Sequence, residues 1–210
     1  MVARWVLESI GQHLWGFKPR LMAHIVEQHG GLAALRWFAG NMPRYERLLK
    51  NWGPVRTHII SVTTSLINGC AYCSFGHAYS FQLHYLKNTG KLFPLTDEQM
   101  LRLGSQPPSE IVGQLCNSLQ QAGLAEEIPF VTRTAELMQL TDYHSDKKTH
   151  SPTTEDDDNI THLINMFRML NSCGIRANAE PDEAHDPINK NRALIENYHR
   201  KRSAAASQKI

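Results

Sequence analysis

The chain has 210 residues, with 22 Lys and Arg against 20 Asp and Glu, a formal net charge of +2 with eleven histidines counted neutral. That length is ample for a sizeable core, and 41% apolar residues with 13 glycines exclude wholesale disorder. The near-neutral balance offers no field suited to nucleic acid, and no apolar run approaches the roughly 20 residues that span a bilayer. Glu8 breaks the apolar start and no small-residue cleavage site follows it, so no signal peptide is expected. The expectation is a cytoplasmic globular protein with neither a nucleic-acid nor a membrane partner.

Almost every segment has helical period, which predicts an all-α fold. Pro19 opens a stretch with Leu21, Ile25 and Val26 on one stripe, closed by Gly30 and Gly31. Leu32 to Phe38 continues helically to Gly40, and Pro43 opens a separate run ending near Trp52-Gly53-Pro54. Arg56 to Ile67 is apolar at helical spacing, although its Ile, Val and Thr residues equally permit a strand, and Asn68-Gly69 stops it. A long helix is expected from about Cys70 to Leu86, ending at Asn88-Thr89-Gly90. Thr96, followed three residues later by Gln99, forms a capping-box pattern for a short helix that ends by Gly104. Pro107-Pro108 opens a helix through Gln121, closed by Gly123, and Ala125 to Leu140 supplies another.

Composition changes after Tyr143. Ser145 to Asp158 has no apolar anchor and reads as a polar linker, its acidic run 155–158 favouring the N-terminus of the next helix. Ile160 to Leu170 is amphipathic, Asn178 to Pro187 is polar, and Asn189 to Arg202 is expected as a mostly exposed helix before a frayed tail. The expected division is a helical core over 1–143, a linker over 144–158 and a helical C-terminal extension over 159–210.

Chemistry concentrates at Cys70-Ala71-Tyr72-Cys73, followed by His77. In a chain without a secretory signal, such a pair reads as a redox couple or half a metal site. On a helix Cys70, Cys73 and His77 share one face, and Cys70 falls at the N-terminus, where free N–H groups and the dipole favour a thiolate. An imidazole one turn away can take the proton of Cys73. If the preceding helix returns antiparallel, His58 lies within about one turn of His77, with Ser61 and Ser65 on its stripe as carriers of a proton or water. Tyr72 reads as packing with a polar handle that can donate a hydrogen bond at the mouth of the site. Cys116 and Cys173 read as buried small hydrophobes, and Trp5, Trp15, Trp37 and Trp52 as core or subunit-interface anchors. His24, His84 and His162 stand at no metal spacing, and no cofactor or metal is expected.

The stretch Asn68-Gly69-Cys70-Ala71-Tyr72-Cys73 with His77 resembles the carboxymuconolactone decarboxylase superfamily, in its alkyl hydroperoxidase D-like, peroxidase-related branch. The similarity is strong over about residues 42–87 and weaker to about 140. It implies a helical bundle around an antiparallel helix hairpin carrying the CxxC, assembled as a homotrimer or hexamer. It also implies a thiol-dependent peroxide or hydroperoxide reductase whose cysteine pair cycles between dithiol and disulfide, reduced by an external dithiol. On this reading Cys73 is the peroxide-reactive thiolate, His77 its base, Cys70 the resolving thiol, and His58 a relay member. The family's relay Glu is replaced here by His58, and a neutral imidazole brings no negative charge to stabilise an imidazolium. Two alternatives remain: a zinc site of Cys70, Cys73, His77 and one of His58 or His84, which two turns of one helix fit poorly, and a catalytically inactive helical assembly protein.

Overall fold

The buried hydroxyls of Thr57, Ser61, Thr63 and Thr64 settle how the ambiguous segment before the cysteines folds. Each donates to the carbonyl four residues earlier, at 2.7–3.0 Å, so a run rich in β-branched residues satisfies its polar atoms as a helix. A computed structural model describes residues 2–142 and 154–207. Ten α-helices and two short 3-10 turns account for its regular structure, with no strand among the described residues. They are α1 (Val2–Trp15), α2 (Leu21–His29), α3 (Gly31–Asn51), α4 (Pro54–Ile67), α5 (Ala71–Thr89), α6 (Asp97–Leu103), α7 (Pro108–Ala122), α8 (Ile128–Asp142), α9 (Glu155–Arg176) and α10 (Arg192–Ser207). The 3-10 turns are Ala125–Glu127 and Pro187–Lys190. None of the described helices is long and apolar enough to cross a membrane.

Helices α4 and α5 are buried along nearly their whole length and pack against each other and against α8 and α9. Pro54 starts α4 where a helix needs no N–H, and Asn68 and Gly69 (φ 76°) turn the chain into α5. Gly90, at φ 70°, closes α5. The capping box at α6 forms as expected: Gln99 N–H donates to the Thr96 hydroxyl at 3.2 Å, and Thr96 N–H to Gln99 Oε1 at 2.8 Å.

Two expectations change. Gly40 and Pro43 do not divide α3, which runs unbroken through both. Pro43 forfeits one ladder bond, but Ala34, Tyr45 and Leu48 lie buried on either side of it, so packing holds the two halves in line. The acidic run 155–158 is the first turn of α9 rather than linker: Asp157 N–H donates to Thr154 Oγ1, and both Asp157 carboxylate oxygens accept from Arg133 of α8 at 2.8 Å. The rest of the expected linker, 143–153, lies outside the described residues.

The expected extension packs as part of the same core. Ile160, Leu163, Ile164, Met166 and Phe167 are buried against Tyr45, Leu48, Ile60, Leu137 and Met138, from α3, α4 and α8. Helix α10 is mostly exposed, as its polarity predicts, but is anchored by Tyr198, whose hydroxyl donates to Gln82 Oε1 at 2.7 Å. It continues to Ser207, so the described part of the tail is helical.

Candidate functional site

Cys70 is the N-cap of α5, and its Sγ accepts from the Cys73 N–H at 3.4 Å. Both thiols are free and buried. A Cβ on Gly174 would lie 2.8 Å from Cys70 Sγ, so α9 approaches the pair this closely because it carries a glycine there. A hydrogen bond from the Cys73 thiol, with backbone N–H groups of Cys73 and Tyr72, outweighs burial and brings the Cys70 thiol below its ordinary pKa. Burial, then the neighbouring Cys70, pushes the Cys73 thiol well up. Cys70 is therefore the thiol whose ionised form is favoured, as its place at the helix N-terminus predicts, while burial opposes ionisation of Cys73, the thiol expected to react with peroxide.

Nineteen residues apart in sequence, His58 and His77 meet with Nδ1 atoms 3.2 Å apart. Behind them stands a group that sequence reasoning missed. Asp186, the N-cap of the 3-10 turn Pro187–Lys190, lies 2.9 Å from His58 Nε2 and 3.0 Å from His84 Nε2, and accepts from Ile188 N–H at 2.7 Å. Burial favours a neutral Asp186 carboxyl, but its bonds to His58 and His84 outweigh that and hold it far below the usual carboxylate range. Burial lowers the pKa of His58, and burial with the neighbouring His185 and His58 lowers that of His77 further. These directions fix the tautomers. An ionised Asp186 accepts a hydrogen bond from His58 Nε2–H, so with both imidazoles neutral His58 Nδ1 accepts from His77 Nδ1–H, and the His77 lone pair lies on Nε2.

The polar segment before Pro187 supplies two more unforeseen residues. His185 stacks on Trp15 and Phe17, with ring centroids at 5.9 and 6.1 Å, lies tilted against Tyr72 at 4.7 Å, and meets the His77 ring edge-on at 5.4 Å. Asp182 accepts from Tyr72 Oη at 2.8 Å and lies 3.1 Å from His185 Nε2. Tyr72 thus packs with its polar handle engaged, as expected, but its partner is Asp182 rather than anything at the mouth of the site. Gly76 permits the arrangement: a Cβ there would lie 2.3 Å from the His185 ring, and its carbonyl accepts the His185 N–H at 3.1 Å. Cys73 and His77 line an apolar cavity of about 50 Å³ with Tyr72, Trp15, Phe167 and His185. Cys70 is not among its lining residues.

Several expected partners lie elsewhere. The Ser61 hydroxyl is spent on the Thr57 carbonyl and that of Ser65 on Asn171 Oδ1, so neither joins the histidines. Cys173 is buried as expected, 3.3 Å from His29 Nε2, whereas Cys116 is partly exposed. Trp15 belongs to the cavity wall and Trp5 is 66% exposed. The sulfur-based zinc set does not converge; the metal-competent set among the described residues is His58, His84 and Asp186. No protein-family model, curated protein or solved structure matches the chain.

Proposed function

We propose that the protein is a thiol-dependent peroxide reductase in which Cys70 and Cys73 cycle between dithiol and disulfide. The carrying observation is that Cys73, of the vicinal pair, and His77 share the wall of one cavity, with the buried His58 and Asp186 in hydrogen-bond reach behind His77. The resemblance of the Cys70–His77 stretch to the alkyl hydroperoxidase D-like branch, with α4 and α5 as its antiparallel helix hairpin, supports the same reading. Asp186, reached through His58, supplies the negative charge that the family takes from its Glu.

A peroxide in the cavity meets Cys73. His77 Nε2 takes the thiol proton, and Cys73 sulfur attacks the outer peroxide oxygen; an S–O bond forms as the O–O bond breaks. The departing alkoxide or hydroxide recovers the proton from His77. Cys70 gives its proton to solvent and attacks the sulfenic sulfur, forming the disulfide as the S–O bond breaks; the expelled hydroxide takes a proton back from solvent and leaves as water. An external dithiol restores the pair by exchange. A cavity of about 50 Å³ with apolar walls suits hydrogen peroxide or a short-chain hydroperoxide. Four free thiols accord with a cytoplasmic setting. The exposed Val2, Trp5 and Leu32, at 66–76% exposure, support assembly with further copies as a trimer or hexamer.

One equivalent of peroxide added to the reduced protein is expected to convert Cys70 and Cys73, and no other cysteines, into a bridge that dithiothreitol reverses. Peptide mass spectrometry reads this directly. Oxidation of Cys116 or Cys173 with the pair left reduced would sink the proposal.

A further inference from the structure

On the far side of His58 from His77, the relay's own His58 and Asp186 meet a third group, His84, that the thiol chemistry leaves unused. His58 Nε2, His84 Nε2 and the Asp186 carboxylate, from α4, α5 and the 3-10 turn before α10, lie within 4.8 Å of one another. The two rings are nearly parallel, with centroids 5.9 Å apart and planes inclined by 25°. Asp186 is fixed by the Ile188 N–H, and His58 by His77 at its other nitrogen, the outer support that metal-binding imidazoles require. Among the described residues no Lys or Arg forms an ion pair with Asp186; its partners are imidazoles and a backbone N–H. A buried carboxylate in that company lacks a permanent countercharge.

The set is also accessible. His84 and Asp186 line a surface groove of about 650 Å³ whose wall carries Glu46 together with Lys50, Lys87 and Lys190. Burial, and then Asp186, raises the Glu46 pKa, so the two carboxyls feel each other. A cation at Asp186 relieves that repulsion.

We propose that His58, His84 and Asp186 form a binding site for a divalent first-row transition metal, with its open coordination positions facing the groove. Two imidazole nitrogens and one carboxylate oxygen suit zinc, cobalt or ferrous iron, whereas magnesium and calcium prefer all-oxygen shells. This site is separate from the thiol-based zinc alternative, since it contains no sulfur. A metal on His58 Nε2 takes the place of the proton shared with Asp186, so metal binding and the proposed relay are alternative states of the same two side chains, and the site can be tested without turnover.

Cobalt(II) titration of the reduced full-length protein, followed by absorption, tests it. One equivalent is expected to bind with visible ligand-field bands and without the near-ultraviolet band of a thiolate–cobalt bond. His84→Ala and Asp186→Asn, each checked for a wild-type circular dichroism spectrum, are expected to weaken binding at least about tenfold. The Cys70→Ser/Cys73→Ser double variant is expected to bind as the wild type does. No binding at large cobalt excess, a thiolate band lost in the double cysteine variant, or unchanged affinity in folded His84→Ala would each overturn the site. Because no turnover is read, none of these outcomes touches the peroxidase proposal.

Discussion

His77 reaches its charge through His58, and the order of the three groups decides what each substitution does. In the proposed mechanism His77 is the base itself, so His77→Ala is expected to abolish peroxide consumption. His58→Ala leaves the base but cuts it off from Asp186, and a loss of about 10–100-fold is expected, near the low end for general-base effects. Installing the Glu that the resembled branch carries would not help. His58→Glu sets a second carboxylate against Asp186 in a buried site, where two like charges cannot both stay ionised, so its rate is expected to fall below the wild type. Stopped-flow kinetics on the three variants checks the order; a faster His58→Glu enzyme would show that Asp186 does not serve the relay. Asp182 gives a stability test at the same scale. Burial raises its pKa, but bonds from His185 and Tyr72 outweigh that and leave it below the ordinary value. A depressed carboxylate stabilises above its unfolded pKa of about 3.9 and loses that contribution as pH falls through the lower folded value. In urea titrations the deficit of Asp182→Asn is expected to be widest near neutrality and to narrow below about pH 4.

Helix α5 carries Cys73, Gly76 and His77 on the face that meets the candidate site, each small or polar for a separate reason, and only some of these reasons can be read in advance. The Cys70, Cys73 and His77 face follows from helical spacing alone, as does the cap at Cys70, because both depend on residues within two turns. The contact of His58 with His77 needs one further assumption, that the chain reverses at Asn68-Gly69. Asp182, His185 and Asp186 obey no such local rule: they arrive on an irregular segment more than a hundred residues later, where no period links them to α5. The remaining signal is compositional, a histidine flanked by acids in Asp182-Glu183-Ala184-His185-Asp186. Gly76 records their arrival from the other side. Its missing Cβ makes room for a ring already held by Trp15, Phe17 and Tyr72, so that ring has little freedom to retreat. Gly76→Ala is expected to cost about 1–3 kcal/mol as an overpacked contact. Adding His185→Ala should recover part of the loss, a coupling that a double-mutant cycle measures. Strictly additive effects would show that the ring does not fill the space above Gly76.

At the scale of the whole chain, the polar stretch after residue 143 looks like a boundary, yet the apolar surfaces on its two sides complete each other. Composition shows where a chain is solvated; it does not show whether the next helix folds back. The apolar stripe of α9 covers Ile60 of α4, Tyr45 and Leu48 of α3, and Leu137 and Met138 of α8, and its Gly174 closes over Cys70. Fully burying side chains such as Leu163 and Phe167 contributes about 1.5–3 kcal/mol each, so a handful equals the net stability of a typical domain. A chain ending at residue 143 loses that cover together with Asp182, His185 and Asp186. It is expected to keep much of its helical far-ultraviolet signal, since the backbone bonds of the remaining helices are local, but to lose near-ultraviolet fine structure and cooperative melting and to bind hydrophobic dye. Supplying residues 154–207 as a separate polypeptide should restore cooperative melting if the two pieces share one core. A truncated chain that melts cooperatively alone would show that the first 143 residues fold independently, with α9 and α10 added for the site rather than for the fold.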